Sequence, residues 1–396
     1  MKNFIFISPN FPESYWKFCA ELKGNGMRVL GIGDCPYDNL KQELRDSLHE
    51  YYKVSNLESY DEVFRAVAFF TYKYGKIDWL ESNNEYWLER DAKLRTEFHI
   101  TTGFMDGDMD KVKRKSAMKA YYAKAGIPTA RYHLVEGYED AVAFANEVGY
   151  PVVVKPDNGV GASHTYRLRS DDEVRFFIDT KDDNIYIMEE QVSGYVCTYD
   201  AIIGAQGQPL FESGNVTPLS LMDVVNDNAD SIYYLVKELP EKVKDAGLKT
   251  VEAFGVKSRF VHLEFFCLTK DQEGLGKEGD IIGLEVNMRP AGGYTPDMYN
   301  FAYETDVYKI WADMICFDQS TKPLGTRHYC AFVGRRDGRE YAMDHNAIME
   351  KYGHCMKMQG RIPDALSGAM ANQMYVVNLD TKEQLDQYFK DLLQAK

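Results

Sequence analysis

The sequence has 396 residues, 45% of them hydrophobic and 27% charged, which fits two to four compact globular domains. Its formal net charge of -15 at pH 7 argues against a nucleic-acid partner, because such binding requires cations that neutralise phosphates. The apolar runs are too short for a membrane span and the seven cysteines form no Cys-x-x-Cys pair, so we expect a soluble, cytoplasmic protein with no membrane partner.

The first hundred residues alternate between strand and helix patterns. Strands are predicted at residues 2–8, 27–32, 51–54 and 77–81, and helices at 13–23 and 60–74. Strands that are separated by helices favour parallel βαβ units. We therefore predict a doubly wound α/β domain at residues 1–107.

A helix followed by a small α+β lobe is predicted at residues 108–190. The helix, at 113–124, ends before Gly126 and Pro128 because proline disfavours helical backbone in the residue before it. The small α+β lobe, at 128–190, has a predicted helix at 138–148 and strands at 152–155, 164–168 and 185–191.

Longer strands mark residues 191–320, which we predict to be an antiparallel lobe. Its strands are expected at 196–203, 260–268 and 281–288, and its helices at 233–246, with an extension to 254, and at 307–317. Residues 321–396 are predicted to form a small C-terminal α+β unit. Its expected elements are strands at 329–334 and 373–378 and a helix at 382–393.

The strongest chemical signal is a predicted hairpin whose loop, residues 269–280, is polar and contains glycine. In a symmetric hairpin Leu268 opposes Ile281. Glu264 then faces Glu285, and their Cβ atoms lie about 5 Å apart. Two carboxylates placed in this way repel each other unless a cation lies between them.

Two further polar side chains share this face of the second strand. Asn287 and Arg289 follow Glu285 by two and four residues. Glutamate and asparagine oxygens are hard ligands of the kind that magnesium prefers, and arginine can bind a carboxylate or phosphate through two hydrogen bonds. The alternative is a solvated hairpin face with ion pairs, but the apolar residues on either side argue against free solvation.

A second signal lies in residues 151–164, where Lys155 ends an apolar strand and enters a Gly-rich turn. Backbone N–H groups of such a turn can cradle phosphate oxygens. Neither a P-loop nor a Gly-x-Gly-x-x-Gly motif is present, so an ordinary turn with an exposed lysine is the alternative. A third signal, an apolar strand that ends in Glu189 and Glu190 before Gly194, indicates little by itself.

Taken in order, these segments resemble the ATP-grasp superfamily, and in particular its carboxylate–amine ligases, over roughly residues 1–320. The matching motifs are the first lysine helix at 114–126, the second lysine with its flexible loop at 151–164, the adenine hinge at 189–192, the metal ligands and the substrate-side loop at 289–293. The resemblance implies an α/β and α+β protein of ATP-grasp fold, in which the four predicted units are the N-terminal domain, the lid lobe, the catalytic lobe and the C-terminal unit.

The resemblance also implies roles for single residues. Arg289 and Lys155 would act in catalysis, and the metal ligands would be Glu264, Glu285 and Asn287. The residues that would hold ATP are Lys115, Lys155, Gly159, Gly161, Ser163, Glu189, Glu190 and the backbone of Val192. ATP and magnesium, or manganese in its place, would be the cofactors.

The implied activity is an ATP-dependent ligation. A small carboxylate would be activated as an acyl phosphate and joined to an amine, with release of ADP and phosphate, and dimers are common in the family. One departure concerns the ribose, which a glutamate two residues after the hinge glycine often binds. This chain has Val196 there, and Tyr199 and Asp200 are weak substitutes.

Three alternatives stay open. A biotin-carboxylase-like enzyme shares the implied fold, and Met356-Lys357-Met358 is similar to a biotin attachment tripeptide without the setting of one. A regulatory or scaffold protein could keep the ATP site without turnover. A small-ligand sensor is the third alternative, suggested by Gly31-Ile32-Gly33-Asp34 in the N-terminal domain.

Overall fold

The computed structural model describes residues 1–159, 164–218, 224 and 228–396. The N-terminal strands are β1 (Asn3–Ile7), β2 (Arg28–Gly33), β3 (Glu50–Lys53) and β4 (Trp79–Glu81), and they form a parallel sheet in the order β3-β2-β1-β4. The helices that surround it are α1 (Trp16–Gly24), α2 (Gln42–Ser47), α3 (Tyr60–Tyr74) and α4 (Leu88–Glu97). The predicted parallel α/β arrangement is therefore present, whereas the domain bounds of 1–107 stay a proposal.

Alternation along β1 explains why this sheet is covered on both faces. Phe4 and Phe6 pack into one hydrophobic core, whereas Ile5 and Ile7 pack into another with α3. The first core is shared with the rest of the molecule. Trp311 contributes to it, and its ring lies 5.7 Å from that of Phe4, measured between ring centroids.

Two helices, α5 (Met109–Lys113) and α6 (Lys115–Lys124), come next in the chain. They are followed by β5 (Tyr132–Leu134), α7 (Tyr138–Val148), β6 (Val152–Pro156), β7 (Tyr166–Leu168), α8 (Asp171–Thr180) and β8 (Tyr186–Glu190). The strands form an antiparallel sheet in the order β5-β8-β6-β7, with α7 and α8 packed on its apolar face.

The largest sheet is antiparallel and carries the rest of the chain. Its first strands are β9 (Gly194–Ile203), β10 (Pro209–Ser213), β11 (Asn215–Thr217), β12 (Ser231–Leu235), β13 (Arg259–Leu268) and β14 (Ile281–Asn287). The helices of this part are α9 (Glu241–Phe254), α10 (Thr295–Tyr303) and α11 (Val307–Phe317).

The C-terminal residues extend the same sheet. They form β15 (Tyr329–Arg335), α12 (His345–Tyr352), β16 (Met356–Arg361), α13 (Asp364–Met370), β17 (Gln373–Leu379) and α14 (Lys382–Leu393). The strand order is β14-β13-β9-β11-β12-β15-β17-β16, and β10 pairs with β9. Because the sheet is continuous across residue 320, the division between the catalytic lobe and the C-terminal unit stays a proposal.

One predicted element is wrong. Residues 233–246 were expected to be helical, but Tyr233 and Tyr234 lie in β12 between β11 and β15, and α9 begins after Pro240. Tyrosine is favoured in strands, and proline at the start of a helix separates the two elements. Among the helices of the described residues, none is long and apolar enough to cross a membrane.

Candidate functional site

The β13–β14 hairpin brings the two predicted carboxylates together. Glu264 pairs directly with Glu285, as the sequence predicts. The expected pairing of Leu268 with Ile281 is wrong, because Ile281 pairs with Cys267 and the register shifts by one residue next to Glu264. The symmetric pairing therefore holds at Glu264 and Glu285 and fails between the shift and the hairpin loop.

Gly283, next to the register shift, lies where α6 closely approaches β14. The backbone N–H of Gly283 donates to the carbonyl of Pro128, with an N–O distance of 2.8 Å. A Cβ atom at position 283 would lie 2.7 Å from the Tyr122 ring, so the contact requires glycine. Through this contact α6 lies against β14 and carries Lys115 toward the carboxylates.

The two carboxylates differ in protonation preference. Burial raises the pKa of Glu285, although the nearby Lys115 opposes that shift. Burial also works against the charged form of Glu264, yet its hydrogen bond with His262 leaves the pKa of that carboxyl below its ordinary value. Neighbouring carboxyl groups whose pKa values shift in opposite directions are typical of functional sites.

Amide and guanidinium groups continue the site along β14. Asn287 donates from Nδ2 to Oε1 of Glu264 at 3.1 Å, and Arg289 donates to Oδ1 of Asn287 at 3.2 Å. The donor set of two carboxylates and one amide oxygen fits magnesium, which prefers hard oxygen ligands and keeps water or phosphate in its shell. Within the described ranges, no group of three or more His, Cys, Asp or Glu side chains is arranged to hold a metal ion.

Lys115 links the first helix of the site to the Gly-rich turn. Its Nζ lies 3.4 Å from Oε1 of Glu285 and donates to the carbonyl of Gly159 at 3.3 Å. The N-terminus of α6 is held by the same turn, because Asp157 accepts from the backbone N–H of Ser116 at 2.7 Å. The lysine helix and the turn are therefore joined by side-chain and backbone hydrogen bonds.

A second cluster contains a lysine that the sequence argument missed. Glu189 lies between Lys119 and Lys155, with 2.6 Å between its Oε2 and Nζ of Lys155, and all three side chains are buried. Burial alone would raise the pKa of Glu189, but the two ammonium groups lower it to about 2. The spacing of Lys115 and Lys119, four residues on one helix, was the signal that could have identified Lys119.

The two other residues of the predicted hinge have different surroundings. The carboxylate of Glu190 accepts from the backbone and the guanidinium of Arg131, at 2.7 and 2.8 Å. Val192 and Phe266 pack against a small apolar cluster that contains Ile282. The cluster lies on the face of β13 that carries Glu264. Its apolar surface is therefore suitable for a flat aromatic ring.

The weak ribose substitutes are both engaged elsewhere. Tyr199 is buried in the core beneath α9, and its hydroxyl donates to Glu212 at 2.9 Å. Asp200 is buried beside His262, with 2.6 Å between Oδ1 and Nδ1. Burial would lower the pKa of His262, but Asp200 and Glu264 raise it to about 9. His262 therefore adds a positive charge beside the carboxylate pair at neutral pH.

The N-terminal domain contributes a residue that sequence reasoning did not select. Glu85 follows β4, and its carboxylate lies 2.6 Å from Nζ of Lys113 and 3.3 Å from Nε of Arg289. Asn83, two residues before it, is buried with φ at 54°, a strained conformation that tends to occur at functional positions. No local pattern links residues 83–85 to Arg289, because the contact exists only after two domains pack together.

The remaining predicted positions can be placed briefly. Gly161 and Ser163 lie outside the described residues. Lys357 is exposed on β16 at an irregularity in its pairing with β17. The structure thus brings seven predicted residues into one region between the β5-β8-β6-β7 sheet and the large sheet: Lys115, Lys155, Glu189, Glu264, Glu285, Asn287 and Arg289.

Comparison with known sequences gives partial matches. Residues 110–182 match the family described as carbamoyl-phosphate synthase L chain, ATP binding domain. The L-arginine-specific L-amino acid ligase of Bacillus subtilis is 25% identical over 311 residues, which is 74% of this chain and 70% of that protein. The family match thus begins in α5 and extends to the end of α8.

Two solved structures share the fold over nearly the whole chain. The L-amino acid ligase from Bacillus licheniformis has a TM-score of 0.69 at 14% identity, covering 98% of this chain and 96% of that one. The biotin carboxylase domain of 2-oxoglutarate carboxylase from Hydrogenobacter thermophilus, solved with MgADP and bicarbonate, has a TM-score of 0.69 at 14% identity, covering 98% and 89%. These likenesses confirm the fold predicted from the sequence.

Proposed function

We propose, from the premise that this chain is an ATP-grasp protein of the carboxylate–amine ligase type, that it activates a small carboxylate with ATP and joins it to an amine. The observation that carries the proposal is the pairing of Glu264 with Glu285 within reach of Lys115, Asn287 and Arg289. Carboxylate and amide oxygens and positively charged side chains thus lie together at one end of the hairpin. Phosphoryl transfer requires such groups because charge on the phosphates must be neutralised.

The triphosphate would lie between the two lysines. Lys115 is paired with Glu285 and Lys155 with Glu189, so a carboxylate holds each ammonium group in place. Phosphate oxygens would accept from these groups and from the turn at Gly159. Magnesium, held by Glu264, Glu285 and Asn287, would supply further positive charge against the phosphates.

Arg289 would hold the carboxylate substrate, with Glu85 fixing the orientation of its guanidinium. A carboxylate oxygen attacks the γ-phosphorus, the bond to the ADP oxygen breaks, and an acyl phosphate forms. The amine nitrogen then attacks the acyl carbon, phosphate leaves, and the nitrogen loses a proton. The adenine would rest on the apolar cluster of Val192, Phe266 and Ile282.

The substrates to test first are amino acids, because the Bacillus subtilis relative is an L-amino acid ligase. The second candidate, a biotin-carboxylase-like reaction, is favoured by the likeness to the biotin carboxylase domain.

We further infer a reducing, cytoplasmic location, since the seven cysteines, which all lie in the described ranges, are free thiols. A homodimer stays a proposal that sizing of the purified protein would test.

The deciding experiment is a screen of acids and amines, with bicarbonate plus biotin as one pair, read out as ADP and phosphate release. Once a pair is found, Glu285→Ala and Arg289→Ala are expected to abolish turnover while the circular dichroism spectrum is kept. Glu278→Ala, at an exposed glutamate in the same hairpin loop, is the matched control. Turnover near the wild-type rate in either site variant would contradict the proposal, and tight ATP binding without any substrate-dependent ADP release would favour the non-catalytic alternative.

A further inference from the structure

A second polar cavity lies in the C-terminal part of the large sheet. It has a volume of about 630 Å³ and is bounded by the ends of β15, β16 and β17 and the start of α12. Its floor is on the sheet face that carries Val333 and Tyr375, which pack with α12 and α14. The carboxylate pair lies on the other face, which carries Phe260. The cavity is therefore separate from the proposed catalytic site.

The lining of this cavity is cationic although the chain as a whole is acidic. Four arginines and two aspartates line it, in a protein with a formal net charge of -15. The arginines are Arg335, Arg336, Arg339 and Arg361. Such a local reversal of charge attracts anions from solution.

Arg335 is the central residue because its guanidinium is buried without a carboxylate contact among the described residues. The side chain is 6% exposed, and it donates to the carbonyls of Leu392 and Met343 at 2.8 and 2.7 Å. The rings of Tyr341 and Tyr375 flank it, with centroids 4.2 and 5.9 Å from Cζ. Its second terminal nitrogen, Nη2, has no hydrogen-bond partner in the described part of the chain.

An unused charged donor in a buried position is costly unless something binds it. Burial lowers the pKa of Arg335, which reflects the same unmet need for a counter-ion. A carboxylate or phosphate oxygen meets this need better than water does, because it also neutralises the charge.

The three neighbouring arginines are held in place by their own contacts. Arg361 pairs with Asp337 through two contacts of 2.7 and 2.5 Å, and Nη1 of Arg339 lies 3.5 Å from Asp230. Arg336 donates to backbone carbonyls, including that of Gly368 at 2.8 Å. These contacts fix the cationic wall while leaving the cavity between the arginines open.

We propose that this cavity is a binding site for a small organic or inorganic oxyanion, with Arg335 as its primary ligand and Arg339 and Arg361 at its rim. The site is independent of the proposed ligase activity. Its volume accommodates a molecule of the size of a polycarboxylic acid or a phosphate ester.

Calorimetric titration with citrate and, separately, with inorganic phosphate tests the site and distinguishes carboxylate from phosphate recognition. Saturable binding is expected for at least one probe, and Arg335→Gln is expected to weaken it about tenfold or more, the typical effect of losing a charge-assisted hydrogen bond. Arg65→Gln, at an exposed arginine of α3, is the matched control and should leave the affinity unchanged.

Two further variants keep the test decisive. If Arg335→Gln does not fold, the exposed pair Arg339→Gln and Arg361→Gln should together lower the affinity by a similar factor. Lys155→Gln reports on anions that occupy the proposed triphosphate site. Loss of binding in Lys155→Gln with full affinity in the arginine variants would overturn the proposal, as would the absence of saturable binding by either probe at millimolar concentration.

Discussion

Replacing Glu189 by glutamine should destabilise the protein by about 3 kcal/mol. The substitution removes the charge that lies between the buried ammonium groups of Lys119 and Lys155. The pKa of Glu189 is about 2, compared with an ordinary value of 4.5. Since each pKa unit corresponds to roughly 1.4 kcal/mol, the ionised carboxylate contributes about 3 kcal/mol at neutral pH, within the range for breaking a buried ion pair.

The sign of the pH dependence follows from the lowered pKa. The contribution of Glu189 is fully present above its unfolded pKa of 4.5 and is lost as the pH falls toward 2. Urea denaturation of wild type and Glu189→Gln should therefore differ strongly at pH 7 and much less at pH 3. Asp245→Asn breaks an exposed pair with Lys249 and should cost less than about 0.5 kcal/mol. A difference below about 1 kcal/mol at pH 7 for Glu189→Gln would refute the reasoning.

Three further predictions follow from packing and charge. Gly283→Ala should lower the free energy of unfolding by about 1–3 kcal/mol, because its Cβ would overlap the Tyr122 ring, whereas Gly107→Ala has open space and should be near neutral in the same urea titration. Trp311→Ala should cost about 3–5 kcal/mol by leaving a cavity between the N-terminal domain and the large sheet, measured as a loss of thermal stability. Lys119→Met should weaken ATP binding several-fold in calorimetry, since it removes one of the cations gathered near the proposed phosphate site, and unchanged affinity would place Lys119 in a structural role alone.

Much of the fold was predictable because the elements follow local patterns. The helices at Tyr60–Tyr74, Tyr138–Val148 and Val307–Phe317 agree with their predicted bounds. The pairing of Glu264 with Glu285 was also predicted, but from a symmetric register that fails at the loop end. The one-residue shift beside Glu264 restores the predicted pairing at the site end.

The misses depend on contacts that sequence periodicity does not encode. The register shift in the hairpin lies beside Gly283, whose close contact with Tyr122 joins residues 161 apart in the sequence. Glu85 reaches Arg289 only when the N-terminal domain lies against the large sheet. The assigned roles of the metal and ATP residues stay predictions that the proposed variants test.

The aromatic core that contains Phe4, Phe18, Trp311 and Phe332 joins residues from both ends of the chain. The N-terminal domain is consequently not a detachable module. A fragment that begins near residue 108 would leave Trp311 without the rings that surround it, and we expect it to aggregate. A chimera that borrows this domain from a relative would need matched changes along α11 before it could fold.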